Sequence, residues 1–167
     1  AARDICALPA EAVAISRSLL RPAPDEIIRR IDEEGQLFSE RMRSKEAMAA
    51  FTEFFSRKAR EHKIWLNCGS FGEKIPGETK LYNTSLLFNP AGDIVGRYEK
   101  IHLYDVDIKN GPSTRESDTK KAGNRIVVCD TEFCKVGLSI CYDMRFPELY
   151  RIMALQGAKI MFVPANY

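Results

Sequence analysis

One stretch, Lys135 to Met161, constrains the fold of this chain more than any other: it reads KVGLSICYDMRFPELYRIMALQGAKIM. Val136, Leu138 and Ile140 alternate with small or polar neighbours, the period of a half-buried strand, and Phe146, Leu149, Ile152 and Met153 then recur at helical spacing. Pro147 at a first helical position and Gly157 just past the last turn bound that helix. Ala158 to Val163 is a continuous apolar run and reads as another strand. Strand, helix, strand is the crossover unit of layered α/β proteins. Cys141 falls where the period changes. A residue there is held rigidly on the strand side and stands at the mouth of the helix, where backbone N–H groups and the positive dipole end favour a thiolate. Position makes Cys141 a candidate nucleophile; residue type alone makes it a small buried hydrophobe.

The 167 residues, 45% hydrophobic and 29% charged, suit a single soluble domain with a sizeable core. Lys and Arg total 25 against 23 Asp and Glu, mixed along the chain, so the charge pattern points to no nucleic acid and no membrane surface as partner. No apolar run has the length of a membrane span or the form of a signal-peptide core. Five cysteines, Cys6, Cys68, Cys129, Cys134 and Cys141, make an odd set without disulfide-scaffold spacing. A reducing compartment follows, cytoplasmic or mitochondrial.

Taken in order, Ile5 to Leu8 reads as a strand end before Pro9, and Glu11 to Leu20 as a helix stopped by Pro22 and Pro24. Ala23 to Gln36 reads as a loop with one short helix, capped by Asp25 and closed at Gly35. Ser44 to Lys63 carries the strongest helical period, with Phe51, Phe54 and Phe55 on one apolar face and His62 at the carbonyl end. Strands are expected over Ile64 to Phe71, Tyr82 to Phe88 and Ile94 to Tyr98, with Asn89 to Asp93 turning a hairpin between the last two. Ile101 to Gly123 shows no period and reads as a long functional loop. Ile126 to Val128 and Val136 to Cys141 form a further strand pair.

GLSICYDMRFPEL, with GRYEKIHLYDVD at residues 96 to 107, resembles the nitrilase superfamily of carbon-nitrogen hydrolases. The similar branch is that of the amidases, which includes deaminated-glutathione amidase and omega-amidase. The resemblance makes Cys141 the nucleophile and Lys100, in GRYEKIHL, the catalytic lysine. An ammonium beside a thiol favours the thiolate and stabilises an oxyanion. It implies the Tyr142 backbone N–H as second oxyanion donor and Glu116, in RESDTKKAG, as a carboxylate that positions the lysine. The family's general base follows a Leu-Pro pair directly, whereas here Glu11 stands one position later, after Leu8, Pro9 and Ala10. In an extended segment a one-residue slip turns a side chain to the opposite face. Arg145 and Glu148 are expected to form an ion pair, with Arg145 as a candidate for docking a substrate carboxylate. Cys129 and Cys134 lack a second ligand pair for zinc, and neither His62 nor His102 carries a thiol-protease signature.

The implied fold is a layered αββα sandwich. The implied reaction is hydrolysis of a small linear carboxamide through a Cys thioester, without metal or organic cofactor, in a protein that forms homo-oligomers when complete. Within the branch, DVDIKNGPSTRES and RFPELYR favour deaminated-glutathione amidase over omega-amidase. Residues 1–167 are expected to form one carbon-nitrogen hydrolase domain that lacks an N-terminal strand and helix and several C-terminal strands and helices. The rival reading is a non-catalytic binding or assembly module, to be separated by whether Glu11 faces Cys141.

Overall fold

The computed structural model describes residues 9–20, 24–42, 44–109, 111 and 113–166. The chain divides into two units, Ala1–Ser44 and Lys45–Tyr167. The strand expected over Ile5 to Leu8 lies outside the described residues, as do the helix-stopping residue Pro22 and the start of the 23–36 segment.

The first unit holds helices α1 (Ala10–Leu20) and α2 (Pro24–Met42). The expected loop with a short helix is therefore a 19-residue helix that runs through Gly35. A mid-helix glycine costs about 1 kcal/mol, not enough to end a helix that other features favour. Pro24 opens the first turn with Asp25 and Glu26 beside it, and Arg29 pairs with Glu33 one turn on. Asp25 lies inside that first turn rather than capping it.

In the second unit β3 (Leu81–Phe88) is the central strand of a five-stranded sheet. β1 (Leu66–Asn67) and β2 (Phe71–Lys74) pair antiparallel along one edge, Asn67 opposite Leu87 and Phe71 opposite Thr84. β4 (Ile94–Glu99) pairs antiparallel along the other edge, where Lys120–Lys121 also adds parallel to Leu81 and Tyr82. The single strand expected over Ile64 to Phe71 is thus two, because the chain turns at Gly69, whose φ is +77°. The hairpin turn forms as its residues predict: Asn89 Oδ1 accepts the N–H groups of Ala91 and Asp93.

The segment between Ile101 and Gly123 is not structureless. It folds into a small hairpin, β5 (Asp105–Asp107) with β6 (Ser113–Arg115), followed by a 3-10 turn at Glu116–Asp118 and then the Lys120–Lys121 strand, β7. A second sheet contains β8 (Val127–Asp130), β9 (Lys135–Leu138) and β10 (Ala158–Phe162). β8 and β9 pair antiparallel; β9 and β10 are parallel, joined across helix α4 (Pro147–Leu155).

The period-2 alternation of β3 sorts its side chains between two layers. Leu87, with Tyr98 from β4, meets Cys129, Val136, Leu138 and Ile140 in the core between the sheets. Leu86 and Phe88 instead pack on Ala59 and Phe55 of α3 (Lys45–His62). On the outer face of the second sheet, Leu149 and Met153 of α4 cover Ala158, Val128 and Met161. The order of layers is helix, sheet, sheet, helix: the αββα sandwich. Phe54 departs from its expected place and is exposed, since Phe51, Phe55 and Ala59 at four-residue spacing take the inward face.

The two sheets approach closely at Gly96 of β4, where an added Cβ meets Cys129 Sγ at 2.5 Å and Leu138 Cδ1 at 3.1 Å. Gly96→Ala is expected to destabilise the second unit by about 1–3 kcal/mol, read as a lowered denaturation midpoint at unchanged slope. An unchanged midpoint means that the sheets can separate there without cost, contrary to this packing.

Candidate active site

β9 leads through Ser139 and Ile140 to Cys141, whose φ of +47° lies in the left-handed region that non-glycine residues avoid at a cost of about 1–2 kcal/mol. Cys141 opens a 3-10 turn, Cys141–Arg145, and α4 begins only at Pro147. The expected α-helix mouth at Cys141 is therefore a tight turn. Phe146, extended at φ −116° and ψ 89° as a residue before proline prefers, separates it from the helix. Cys141 is therefore not a residue of that helix's first turn. The Cys141 N–H is bound to Pro164 O at 2.9 Å, which ties the bend to the chain after β10.

Beneath this bend lies a fully buried carboxylate, Asp143. Its Oδ2 accepts the Tyr98 hydroxyl at 2.7 Å and the Ile140 N–H at 2.9 Å. Its Oδ1 accepts the His102 N–H at 3.0 Å and His102 Nδ1–H at 2.8 Å. The His102 ring also stacks on Phe146, centroids 3.7 Å apart and planes within 7°. Burial, and then the Asp143 charge, push the Tyr98 hydroxyl far above the usual phenol range. It stays protonated and donates.

Lys100 follows β4 and is buried, with its N–H bound to Asn83 O and its carbonyl bound by the Gly123 N–H, both at 2.8 Å. Its Nζ lies 2.6 Å from Glu116 Oε2, which also accepts the Tyr104 N–H at 2.8 Å, while Asn83 Nδ2 donates to Glu116 Oε1 at 3.0 Å. Burial raises the Glu116 carboxyl. The bonds from Lys100, Tyr104 and Asn83, with the Lys100 charge, outweigh it and hold the group below the ordinary carboxylate range. The Tyr104 ring meets the Tyr142 ring edge-on at 5.0 Å, linking the lysine side of the site to the residue after Cys141.

The remaining sequence candidates fall as follows. The Tyr142 N–H precedes the first bond of the turn, Asp143 N–H to Ile140 O. Arg145 and Glu148 are both exposed, and the ion pair expected between them is not among the described salt bridges, because Phe146 and Pro147 extend the chain between the two. Glu11 stands exposed in the first turn of α1, the helix expected over Glu11 to Leu20, which begins one residue earlier at Ala10. Among the described residues no three His, Cys, Asp or Glu side chains gather as a metal set. Asp143, Tyr98, Asn83 and Tyr104 escaped the sequence reading. The polar run Asn83 to Ser85 inside a largely buried strand, and an acid placed to bond back to the N–H preceding a turn, were the signals available.

The chain belongs to the carbon-nitrogen hydrolase family, whose model matches residues 32–167. It is 42% identical over 130 residues to the omega-amidase of Saccharomyces cerevisiae, covering 78% of this chain and 44% of that protein. A crystal structure from the same organism, of a member of branch 10 of the nitrilase superfamily, has a TM-score of 0.62 at 36% identity, over 71% of this chain and 40% of that one. The deaminated glutathione amidase of Dictyostelium discoideum is 46% identical over 112 residues, 65% of this chain and 38% of that protein. An amidase from Nesterenkonia, crystallised with acrylamide added at its active-site cysteine, has a TM-score of 0.57 at 27% identity, over 68% of this chain and 41% of that one. The chain spans less than half the length of these relatives.

The depressed Glu116 carboxyl gives a signed expectation for pH. Free carboxyls of this type titrate near 4.5, so a lower folded value contributes stability that is complete above that pH and is lost as pH falls through the folded value. Glu116→Gln should cost roughly 3–5 kcal/mol at pH 7, by leaving Lys100 buried without its partner. The gap from the parent should close as denaturation is repeated below the unfolded value. A gap that is the same at both ends of the range shows that the carboxylate charge is not what holds Lys100.

Proposed function

We propose that this chain carries the nucleophile, lysine and oxyanion donors of an amidase that hydrolyses a small linear carboxamide. The observation that carries the reading is the buried Lys100–Glu116 pair at 2.6 Å, on a segment bonded through Asp143 to the bend that presents Cys141. The family and the names of its relatives agree with it. Cys141 Sγ attacks the amide carbon, and Lys100 Nζ and the Tyr142 N–H receive the oxyanion. The carbon-nitrogen bond breaks as the nitrogen takes a proton and leaves as ammonia or an amine, and a thioester remains. Water then adds to the thioester carbon and the thiol leaves with a proton. The thiol proton goes to Glu11 or to a residue in its place, an assignment that rests on the family's Leu-Pro motif. Residues of the chain supply these steps, so the reading calls for no metal or organic cofactor.

The domain is proposed to be one carbon-nitrogen hydrolase domain. It belongs to a homo-oligomeric protein of a reducing compartment, cytoplasmic by preference, with no nucleic-acid or membrane partner. Deaminated-glutathione amidase is the preferred activity. Omega-amidase action on a 2-oxo-dicarboxylic acid monoamide is the second reading, supported by the 42% identity to the yeast omega-amidase. Exposed Arg145 is proposed to dock the carboxylate that either substrate carries.

Ammonia or amine release from both substrates tests the activity. Cys141→Ala should abolish it, and Lys100→Met should lower kcat by roughly 100-fold or more. Turnover that survives Cys141→Ala places the chemistry elsewhere. The thiol is tested separately by iodoacetamide at neutral pH with peptide mass spectrometry. Burial pushes the Cys68 and Cys129 thiols up, so Cys141 should be alkylated well ahead of both. Equal labelling of the three in the folded protein speaks against an activated Cys141.

A further inference from the structure

We propose that Asp143 is a positioning residue whose task is to fix the distance between Cys141 and Lys100. It touches no reacting atom. Its bonds instead run to the three places that determine where those atoms stand. Ile140, whose N–H it accepts, directly precedes Cys141. Tyr98 and His102, whose hydroxyl, N–H and ring N–H it accepts, stand two residues before and two residues after Lys100. The lysine is thus bracketed by two residues held on the carboxylate whose other bond holds the nucleophile's strand. The bracket is closed a second time by the Tyr98 hydroxyl, which accepts the Ile101 N–H at 3.3 Å, and by His102 stacked on Phe146 of the same bend.

Such a clamp has a reason to exist in this fold. Lys100 leaves the first sheet and Cys141 leaves the second, and strand hydrogen bonds set register only within a sheet. Side-chain packing alone leaves the two sheets some freedom to slide. A buried charged acceptor with all its directions filled tolerates little displacement, because every broken bond strands a donor in the interior. Small misplacements of reacting groups cost catalysis heavily.

The kinetic arm of the test rests on the amidase reading; the chemical arm does not. In the chemical arm, the iodoacetamide rate of Cys141 is measured with and without Lys100→Met, in the parent and in the clamp variants Tyr98→Phe, His102→Leu and Asp143→Asn. Lys100→Met is expected to slow the thiol about tenfold in the parent and less than about twofold in each clamp variant, since the coupling exists only while the clamp holds the pair. His102→Asn, whose amide N–H can still donate to Asp143, should restore most of the coupling lost in His102→Leu. In the kinetic arm, Tyr98→Phe should lower kcat at nearly unchanged KM.

A residue that only stabilises the fold lowers the denaturation midpoint and leaves the Lys100 factor at its parental value in the folded fraction. That outcome overturns the proposal, as does a parent in which Lys100→Met leaves Cys141 alkylation unchanged. If Asp143→Asn fails to fold, Tyr98→Phe removes a single hydroxyl and decides the matter. Coupling that is present and clamp-dependent in a chain that releases no ammonia or amine supports the positioning role and removes the amidase reading.

Discussion

The constraint on which the second unit turns is the burial of one carboxylate. Asp143 has no exposed surface, and a charge taken out of water costs several kcal/mol unless its acceptor directions are filled. Filling them dictates local geometry. To reach back to the Ile140 N–H from three residues on, the chain must curl within a single turn, and Cys141, first in that turn, takes up a positive φ. The strain at Cys141 is the local consequence of a bond that the buried acid cannot do without. Tyr98 completes the arrangement, because a phenol held far above its usual range by burial and by the acid itself is a permanent donor.

The order of strands and helices was readable from the sequence because it rests on period, while the αββα layering was what the family resemblance implied. Alternation in β3 sends Leu86 and Phe88 to one layer and Leu87 to the other, but period placed Phe54 with Phe51 and Phe55 on the inward face of α3, where Ala59 stands instead. Pro147 and Gly157 likewise bounded α4 as their backbone preferences require. What period cannot carry is a bond between distant polar groups. Asp143 in CYDMR reads as a turn acid, and nothing local says that its partners are Tyr98 and His102, 45 and 41 residues away. The tight turn at Cys141 escaped for the same reason: it is held from outside by Pro164 and from beneath by Asp143. In α2 the failure was one of magnitude, since a glycine penalty near 1 kcal/mol was read as a helix stop.

Asp143 and Lys100 are both buried, and their hydrogen-bonding capacity separates them. A carboxylate accepts about four bonds, and Asp143 already accepts four, so it has no acceptor direction left for a substrate. An ammonium has three donors. Among the described residues Lys100 Nζ has a single hydrogen-bond partner, Glu116, itself bound on both oxygens. Lys100 is almost fully removed from water, where an oxyanion is a strong acceptor, so the acid with every direction used suits the proposed positioning role and the lysine suits the proposed oxyanion role.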